Sequence, residues 1–448
     1  MLGQEEFPFG WLIFCSILLM MARAGFVCIF CGVANTKANI NVAIKTMVDF
    51  CVSIFCFWIF GFSLMNGLPE AVNGGMAWPI SLGDSLHTEN LSLFLFHLMN
   101  MSIVAIMICG SLATRLAFPA FLCTSVAVSL VIYPLSASWN IGGVFNPQHQ
   151  SWLKNIGFID VAGGASINVL AGNLLLAFIL IGGRDRQIKK GGGSRNRASK
   201  VEGYDLTLTS IGMMLIWLGW FGLVSGHLQA KHVGNSLINL LLTPAAAGFT
   251  SLWLSSKLEG RINHDVLISG VLAGIISVAA GVGYYTPFHS VILGVIAGIA
   301  NYLVRGILTK KHIRDSSGCL SSNLAGGVWG VLAVALLAVP DRPDYHRGFQ
   351  FLIQLMGLMC YFSYSFIIGV VFFRLLSRFF PITLSAAQEK VGLNMHELAA
   401  GGIQFDLIDQ MKMGFSKTNQ NIDEQTAKLE EEIYEDRRHE EIEGPFLR

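Results

Sequence analysis

The sequence predicts an all-α polytopic membrane protein with eleven transmembrane helices, arranged as two inverted five-helix halves and a final helix. Three observations support this fold class. Hydrophobic residues make up 53% of the chain and charged residues only 13%, which is too apolar for an ordinary soluble surface. Apolar runs long enough to cross a bilayer recur along the chain. Lys and Arg are concentrated in alternate connections between those runs.

The apolar runs define the predicted helices in chain order, since roughly 17–25 mainly apolar residues span a bilayer as a helix. The first run is not a cleaved signal peptide, because Glu5 and Glu6 stand where a basic segment is required. The eleven predicted spans are Phe9 to Ala34, Val42 to Leu64, Asn90 to Leu112, Phe118 to Ser136, Phe158 to Ile181, Leu206 to Val224, Val233 to Ser255, Val266 to Val282, His289 to Val304, Asn323 to Ala338 and Phe349 to Leu375.

The basic residues between these spans predict the orientation. One set of alternate connections holds Lys37, Arg115, Arg184, Arg186, Lys189, Lys190, Arg195, Arg197, Lys200, Lys257, Arg261, Arg305, Lys310, Lys311 and Arg314. The complementary set holds only Lys154, Lys231, Arg342 and Arg347. This bias places the N-terminus outside and the C-terminus in the cytoplasm of a cell (inner) membrane. The Gly-rich segment Lys189 to Lys200 is expected to be a flexible cytoplasmic connector.

Charge and cysteine usage exclude several classes of function. The formal net charge of +1 does not supply the basic surface that a nucleic-acid partner requires. The nine cysteines lie mostly within apolar runs, and Cys28 and Cys31 are flanked by apolar residues, which favours packing over a metal site. No segment combines a nucleophile, a base and an orienting group, so neither an enzyme nor a cofactor is predicted.

Polar residues in the fifth predicted span point to a solute site. Asp160, Asn168 and Asn173 interrupt an otherwise apolar run. An ionisable side chain inside a membrane is costly and usually faces a polar cavity or a ligand. The span therefore predicts a membrane pathway or a membrane receptor for a small polar solute.

A short repeat relates the fifth and tenth spans. Val161-Ala162-Gly163-Gly164-Ala165 is echoed by Leu324-Ala325-Gly326-Gly327-Val328. Because each half contains an odd number of helices, the second half must be inverted relative to the first. Inverted repeats place a solute site near the bilayer midplane, where the halves meet.

These residues resemble the ammonium transporter and Rhesus superfamily over Phe9 to Ala400. The motifs that carry the resemblance are Asp160-Val161-Ala162-Gly163-Gly164 followed by Ala171-Gly172, Gly219-Trp220-Phe221-Gly222, the run Gly270 to Pro287, and Gly392-Leu393-Asn394-Met395-His396-Glu397. The resemblance implies a homotrimer in which each subunit has its own ammonium pore. It also implies a cytoplasmic tail motif. Because the chain becomes polar from Gln388, we predict a membrane domain over residues 1–387 and the tail motif and linker over 388–418.

The resemblance also marks two departures inside the pore. Transporters of the family carry a pair of proton-sharing histidines, and the glycine motifs place Asn168 and Asn323 at those positions. An amide does not titrate near neutrality, but its carbonyl oxygen accepts hydrogen bonds from an intact ammonium ion. We expect Asn168 and Asn323 to contact the ion, and Asp160 to cap backbone and supply a negative field. The alternative is that the two asparagines hydrogen-bond to each other and plug the pore.

The outer vestibule departs from the family pattern as well. Asn100 and Leu223 replace two aromatic residues and His227 replaces a cation-recruiting serine, so the cation–π site is weakened. Trp220 is expected to keep one aromatic face, which gives Asp160, Asn168, Asn323, Asn100 and Trp220 as predicted ammonium-binding residues. Phe96, Ser225 and His227 are the predicted vestibule residues. His227 is otherwise interpreted as a solvated loop residue, and His97 and His289 as satisfied histidines at helix ends.

The tail leaves two functions open. Residues 419–448 are polar and rich in helix formers, and an apolar seam suits a coiled coil on a trimer axis, although a solvated acidic tail fits almost as well. The seam residues are Ile408, Met411, Phe415, Ile422, Leu429 and Ile433. The preferred function is an ammonium sensor that signals through this helix to a cytoplasmic effector or a PII-type regulator. The alternative is an ammonium transporter or channel that works without the histidine pair.

Overall fold

All eleven predicted spans form helices in the computed structural model, which describes residues 9–66, 88–142, 151–182, 205–228, 230–339, 345–383 and 393–398. Ten of them are long and apolar enough to cross a membrane, and α8 is a shorter apolar helix of 16 residues. The helices are α1 (Phe9–Val33), α2 (Asn39–Asn66), α3 (Thr88–Leu112), α4 (Phe118–Ala137), α5 (Gly164–Gly182), α6 (Leu206–Gly226), α7 (Ala230–Glu259), α8 (His264–Ala279), α9 (Pro287–Lys310), α10 (Cys319–Leu337) and α11 (Arg347–Phe379).

The contacts between helices repeat from one half of the membrane domain to the other. In the first half α1 packs on α3, α2 packs on α3 and α4, and α3 packs on α5. In the second half α6 packs on α8, α7 packs on α8 and α9, and α8 packs on α10. The halves meet where α1 packs on α6 and α5 on α10, and α11 lies against both α5 and α10. The predicted plan of two five-helix halves and a final helix is confirmed.

The start of α5 corrects one predicted boundary. The helix begins at Gly164 and not at Phe158, because Gly163 has a φ of 82°. Glycine adopts this left-handed conformation readily, and it cannot be part of a right-handed helix. Oδ2 of Asp160 then accepts hydrogen bonds from two backbone N–H groups in the first turn of α5, at 3.0 and 3.1 Å. The non-helical segment before the helix places Asp160 beside the first turn rather than on the helix.

The start of α10 is built in the same way. Gly318 precedes the helix with a φ of 72°. The carboxylate of Asp315 accepts hydrogen bonds from the backbone N–H groups of Leu320 (3.2 Å) and Ser321 (2.8 Å) in the first turn. These donors lie five and six residues after Asp315, the same spacing as the donors to Asp160.

This shared geometry changes the register of the internal repeat. Asp160 corresponds to Asp315 and Gly163 to Gly318, and the asparagine eight residues after each aspartate occupies the matching position in its helix. The predicted pairing of 161–165 with 324–328 is therefore wrong. Both segments contain Ala-Gly-Gly, but they occupy different places in the two halves.

Charged side chains are buried between the first four helices. Arg23 on α1 donates to Asp49 on α2 (2.7 Å), and Asp49 also accepts from the hydroxyl of Ser125 on α4 (2.6 Å). Lys45 donates to the carbonyl oxygens of Ala113 (3.1 Å) and Leu116 (2.7 Å), near the end of α3. Each of these charges is therefore compensated, as charges buried in a protein interior require.

The second compact unit, Val391–Arg448, is described only over the short helix Leu393–Leu398, which lies within the predicted tail motif. The connector at 189–200 and the predicted coiled-coil segment at 419–448 lie outside the described residues. The predicted domain boundaries after residues 387 and 418 therefore stay predictions.

Glycines bring α1 and α6 into backbone contact along the seam between the halves. A Cβ atom at Gly212 would lie 2.6 Å from the carbonyl oxygen of Gly25, and one at Gly25 would lie 2.5 Å from that of Gly212. Small residues allow this close approach in membrane proteins, where van der Waals packing drives helix association. The seam therefore depends on the absence of side chains at these two positions.

We expect Gly212→Ala to lower the free energy of unfolding by about 1–3 kcal/mol, because the added methyl group meets backbone that cannot yield. The matched control is Gly306→Ala on α9, where an added Cβ meets nothing within 4 Å. Thermal unfolding of the purified protein measures both. Equal melting temperatures for the two variants would contradict the described seam.

Candidate functional site

Asn168 and Asn323 are buried with one polar atom of each side chain unpaired. Both are fully buried. Nδ2 of Asn168 donates to the carbonyl oxygen of Gly163 (2.8 Å), and Nδ2 of Asn323 donates to that of Cys319 (2.7 Å). Oδ1 of each has no hydrogen-bond partner. A buried acceptor left unpaired costs about 1–3 kcal/mol, so each oxygen is prepared to receive a donor.

The two asparagines lie in the contact between α5 and α10. A Cβ atom at Gly172 on α5 would lie 3.1 Å from the Cβ of Asn323 on α10, and one at Gly327 would lie 3.0 Å from the side chain of Val169. The two halves therefore touch directly at this level. The alternative in which the asparagines bond to each other is wrong, because Oδ1 of neither side chain accepts a hydrogen bond, and each amide group donates to backbone near the start of its own helix.

Asp160 is held by several donors and keeps one oxygen unpaired. Its Oδ2 accepts from the hydroxyl of Ser166 (3.0 Å) in addition to the two backbone groups of α5. Its backbone carbonyl accepts from Nδ2 of Asn140 at 2.7 Å. Oδ1 is buried without a partner. Asp160 thus fixes the start of α5 and leaves one acceptor oxygen in the interior.

Sequence reasoning missed the residues that hold the segment around Asp160. Oε1 of Gln354 on α11 accepts from the backbone N–H of Ile159 (2.9 Å), and its Nε2 donates to the carbonyl of the same residue (2.8 Å). Gln350, one turn earlier, donates to the carbonyl of Gly157 (3.0 Å). Two glutamines one turn apart in an apolar helix were a signal for this contact.

An aromatic cluster beside this segment was missed as well. The ring of Trp139, adjacent to Asn140, lies 5.3 Å from the ring of Tyr361 and 5.0 Å from that of Tyr364. Both tyrosines are on α11. The cluster adds a second contact between α11 and the chain that leads to Asp160.

The predicted vestibule residues come from within α3 and from the end of α6. Phe96 and Asn100 lie one turn apart on α3, and each is 1% exposed. Ser225 is buried near the end of α6, and the ring of Phe96 meets that of His227 edge to face at 4.8 Å. Both amide atoms of Asn100 are without a partner. The structure thus brings α3 and the end of α6 together, but it does not show these residues in contact with Asn168 or Asn323.

The interpretations of His97 and His227 are corrected. His97 is not at a helix end: it lies within α3, is 2% exposed, and neither ring nitrogen has a partner. His227 caps the end of α6, and its Nδ1 lies 2.8 Å from the carbonyl oxygen of Leu223, while its buried Nε2 is unpaired. It is therefore not a solvated loop residue.

Trp220 belongs to the seam between α1 and α6. The side chain is fully buried, and its ring packs edge-on against Phe26 on α1 at 6.3 Å. Its indole nitrogen has no partner. These contacts give Trp220 a packing role, and the indole N–H donates and cannot accept from a cation. The predicted aromatic face of Trp220 toward the ion stays a prediction.

Comparison with known proteins identifies the family. The model of the Ammonium Transporter Family matches residues 10–402. "Ammonium transporter Amt2" of Archaeoglobus fulgidus is 29% identical over 89% of this chain and 88% of its own length. The "Ammonium transporter" of Bacillus subtilis is 26% identical over 88% of this chain and 96% of its own.

Solved structures share the fold. A structure described as "Sensor Amt Protein" matches with a TM-score of 0.79 and 27% identity, covering 87% of this chain and 98% of its own. Candida albicans Mep2 matches with a TM-score of 0.73 and 21% identity, covering 85% and 86%. Because the family model spans most of the sequence and the relatives align over nearly their whole length, this chain is a multi-pass membrane protein of the ammonium transporter family.

Proposed function

We propose that this protein is an ammonium-binding membrane sensor that captures the ion between its two halves and signals through its C-terminal region. The observation that carries the proposal is that Oδ1 of Asp160, Asn168, Asn323 and Asn100 are among the buried acceptor oxygens without a donor in the described residues. Ammonium offers four N–H donors and no acceptor, so it matches a site that has acceptors to spare.

The chemistry of the asparagines supports binding over conduction. An amide cannot take a proton from ammonium near neutral pH, whereas an imidazole can. α5 and α10 also touch directly beside the asparagines. An ammonium ion that keeps its proton and meets the packed contact between α5 and α10 is retained rather than conducted across the membrane. The likeness to a solved structure described as a sensor supports the same function.

α11 is the last membrane helix before the tail, and hydrogen bonds join it to the site. Gln354 joins α11 to Ile159 and donates to the carbonyl of Val331 on α10 (3.1 Å). Nδ2 of Asn173 on α5 donates to the hydroxyl of Ser365 on α11 (2.9 Å). A ligand shifts a conformational equilibrium only if it binds one state more tightly. We propose that ammonium favours one arrangement of α5 and α10 and that α11 follows it.

The assembly, membrane orientation, domains and partners of the protein are also part of the proposal. It forms a homotrimer in the cell (inner) membrane, with the N-terminus outside and the C-terminus in the cytoplasm. Residues 1–387 form the ammonium-binding domain, 388–418 the tail motif and linker, and 419–448 a helical extension. The extension contacts a cytoplasmic signalling effector or a PII-type regulator, and the partners at the membrane are lipids and identical subunits.

Ammonium transport is the second candidate function. The relatives that align over most of this chain are named ammonium transporters, which favours a channel that conducts without a histidine pair on α5 and α10. The residues proposed to bind the ion would then line its path.

We expect Asn168→Leu to weaken ammonium binding about ten- to a hundredfold, because a hydrogen bond to a charged group contributes about 1.5–3 kcal/mol. The measurement is an ammonium titration of the purified protein. Asn155→Leu, at an exposed position on the short helix Trp152–Ile156, is the matched control. Unchanged affinity in Asn168→Leu, with a normal melting temperature, would place the site elsewhere.

We expect ammonium to slow hydrogen exchange along α11 in the natural protein, and Ser365→Ala to reduce this effect while leaving affinity within a few-fold. The serine hydroxyl is the nearer of the two partners of Asn173 on α11, at 2.9 Å, and the carbonyl oxygen of Phe362 is the other, at 3.5 Å. The measurement is mass-spectrometric hydrogen exchange with and without ammonium. Ser377→Ala, at an exposed serine of the same helix whose hydroxyl bonds only within it, is the control. If ammonium does not change hydrogen exchange along α11 in the natural protein, the proposed coupling from the site to α11 is disproved.

A further inference from the structure

The start of α10 is held from α9 by a side chain that the sequence marks only as part of a basic connection. Arg305 is partly buried on α9, one turn after the buried Asn301. Its Nη1 donates to the backbone carbonyl of Asp315 at 3.4 Å. The carboxylate of the same aspartate accepts from the first turn of α10. The guanidinium therefore contacts the segment that fixes where α10 begins.

The turn at Gly318 lies between α8 and α9. A Cβ atom at Gly318 would lie 3.5 Å from Nη1 of Arg305 and 2.5 Å from the Cβ of Ser269 on α8. The hydroxyl of Ser269 accepts from Nδ2 of Asn301 at 3.0 Å. Residues four apart on a helix share a face, so Asn301 and Arg305 together present one face of α9 to this turn. The turn is therefore packed against both helices.

Asn323 is joined to the same turn by one hydrogen bond. Its Nδ2 donates to the carbonyl oxygen of Cys319 at 2.7 Å, and Cys319 follows Gly318 as the first residue of α10. Binding groups keep their geometry only where neighbouring hydrogen bonds and packing hold them. A shift of the turn therefore moves the amide of Asn323 and with it the unpaired Oδ1.

The first half of the repeat has a matching contact with different chemistry. Nδ2 of Asn140 donates to the backbone carbonyl of Asp160 at 2.7 Å, and Nη1 of Arg305 donates to that of Asp315 at 3.4 Å. Asn140 follows α4, and Arg305 lies on α9, the helix that corresponds to α4 in the second half. A hydrogen bond weakens as it lengthens. This contact therefore holds the start of α10 less firmly than its counterpart holds the start of α5.

We propose that Arg305 is a positioning residue of the ammonium site, which acts on Asn323 through the turn at Gly318. The inference rests on the proposed function, in that Asn323 contacts the ion. Arg305 carries the same sign of charge as ammonium, so its Coulomb effect alone disfavours the ion. Its effect on the geometry of Asn323 favours the ion. Because the two effects have opposite signs, loss of the side chain shows which of them dominates.

The test measures ammonium affinity by titration of the full-length protein, and backbone hydrogen exchange by mass spectrometry without ammonium. Arg305→Met keeps the aliphatic length and removes the donors and the charge. We expect ammonium binding to weaken about three- to tenfold, because a hydrogen bond from a charged group to the turn is lost. Exchange should become faster at Leu320 and Ser321, which bond to Asp315. Exchange in the first turn of α5 should not change.

Three further variants serve as controls. Arg305→Lys keeps the charge and an N–H donor, and it should recover most of the affinity. Lys310→Ala removes a positive charge at an exposed position in the last turn of α9, and it should leave affinity and exchange as in the natural protein. Asn140→Ala removes the matching contact in the first half. It should speed exchange at the start of α5 and not at the start of α10.

The inference is overturned if Arg305→Met binds ammonium as tightly as the natural protein or more tightly, or if exchange at the start of α10 stays the same. If Arg305→Met does not fold, Arg305→Gln, which keeps a shorter donor, should show the same changes at smaller size, and their absence overturns the inference equally. No ammonium bound by the natural protein would overturn the proposed function instead, and the exchange comparison would still test the hold of Arg305 on the turn.

Discussion

The capping of α5 and α10 by aspartate is the constraint on which the rest of the site depends. Asp160 and Asp315 each bond to backbone N–H groups five and six residues later, across a glycine with positive φ. This geometry fixes where each helix begins. It thereby fixes the height at which the asparagine eight residues further on enters the contact between the halves. An inverted repeat with two such starts brings two amide groups to one interface.

Most of the fold could be predicted from hydropathy, because membrane spans are long and their apolar content is unambiguous. The start of α5 could not, since Phe158 is as apolar as the residues that follow it. The backbone conformation of Gly163 is what prevents the helix from starting earlier. The register of the repeat was misplaced for a related reason: the Ala-Gly-Gly identity is visible in the sequence, whereas the hydrogen bonds that relate Asp160 to Asp315 appear only in the structure.

The polar residues of the site also divide into those that the sequence could single out and those that only the structure reveals. Asn168 and Asn323 stand out as amides in apolar helices, and the sequence was enough to single them out. His97 and His227 come from different halves. The family pattern placed Phe96 and His227 in one vestibule, but it gave His97 no part there. Gln354 had a visible signal in its one-turn spacing from Gln350, but its partner is backbone at Ile159, and pattern analysis identifies side chains rather than backbone groups.

These features describe an interior with more acceptors than donors and with direct packing at its centre. Such an interior fits an ion that is bound intact. The most direct measurement is the ammonium-evoked current from purified protein in liposomes on a supported membrane, made beside a binding titration of the same preparation. A sensor gives saturable binding with only a small transient current. A sustained current that rises with ammonium concentration would contradict this account and establish a transporter that works with asparagines in its pore.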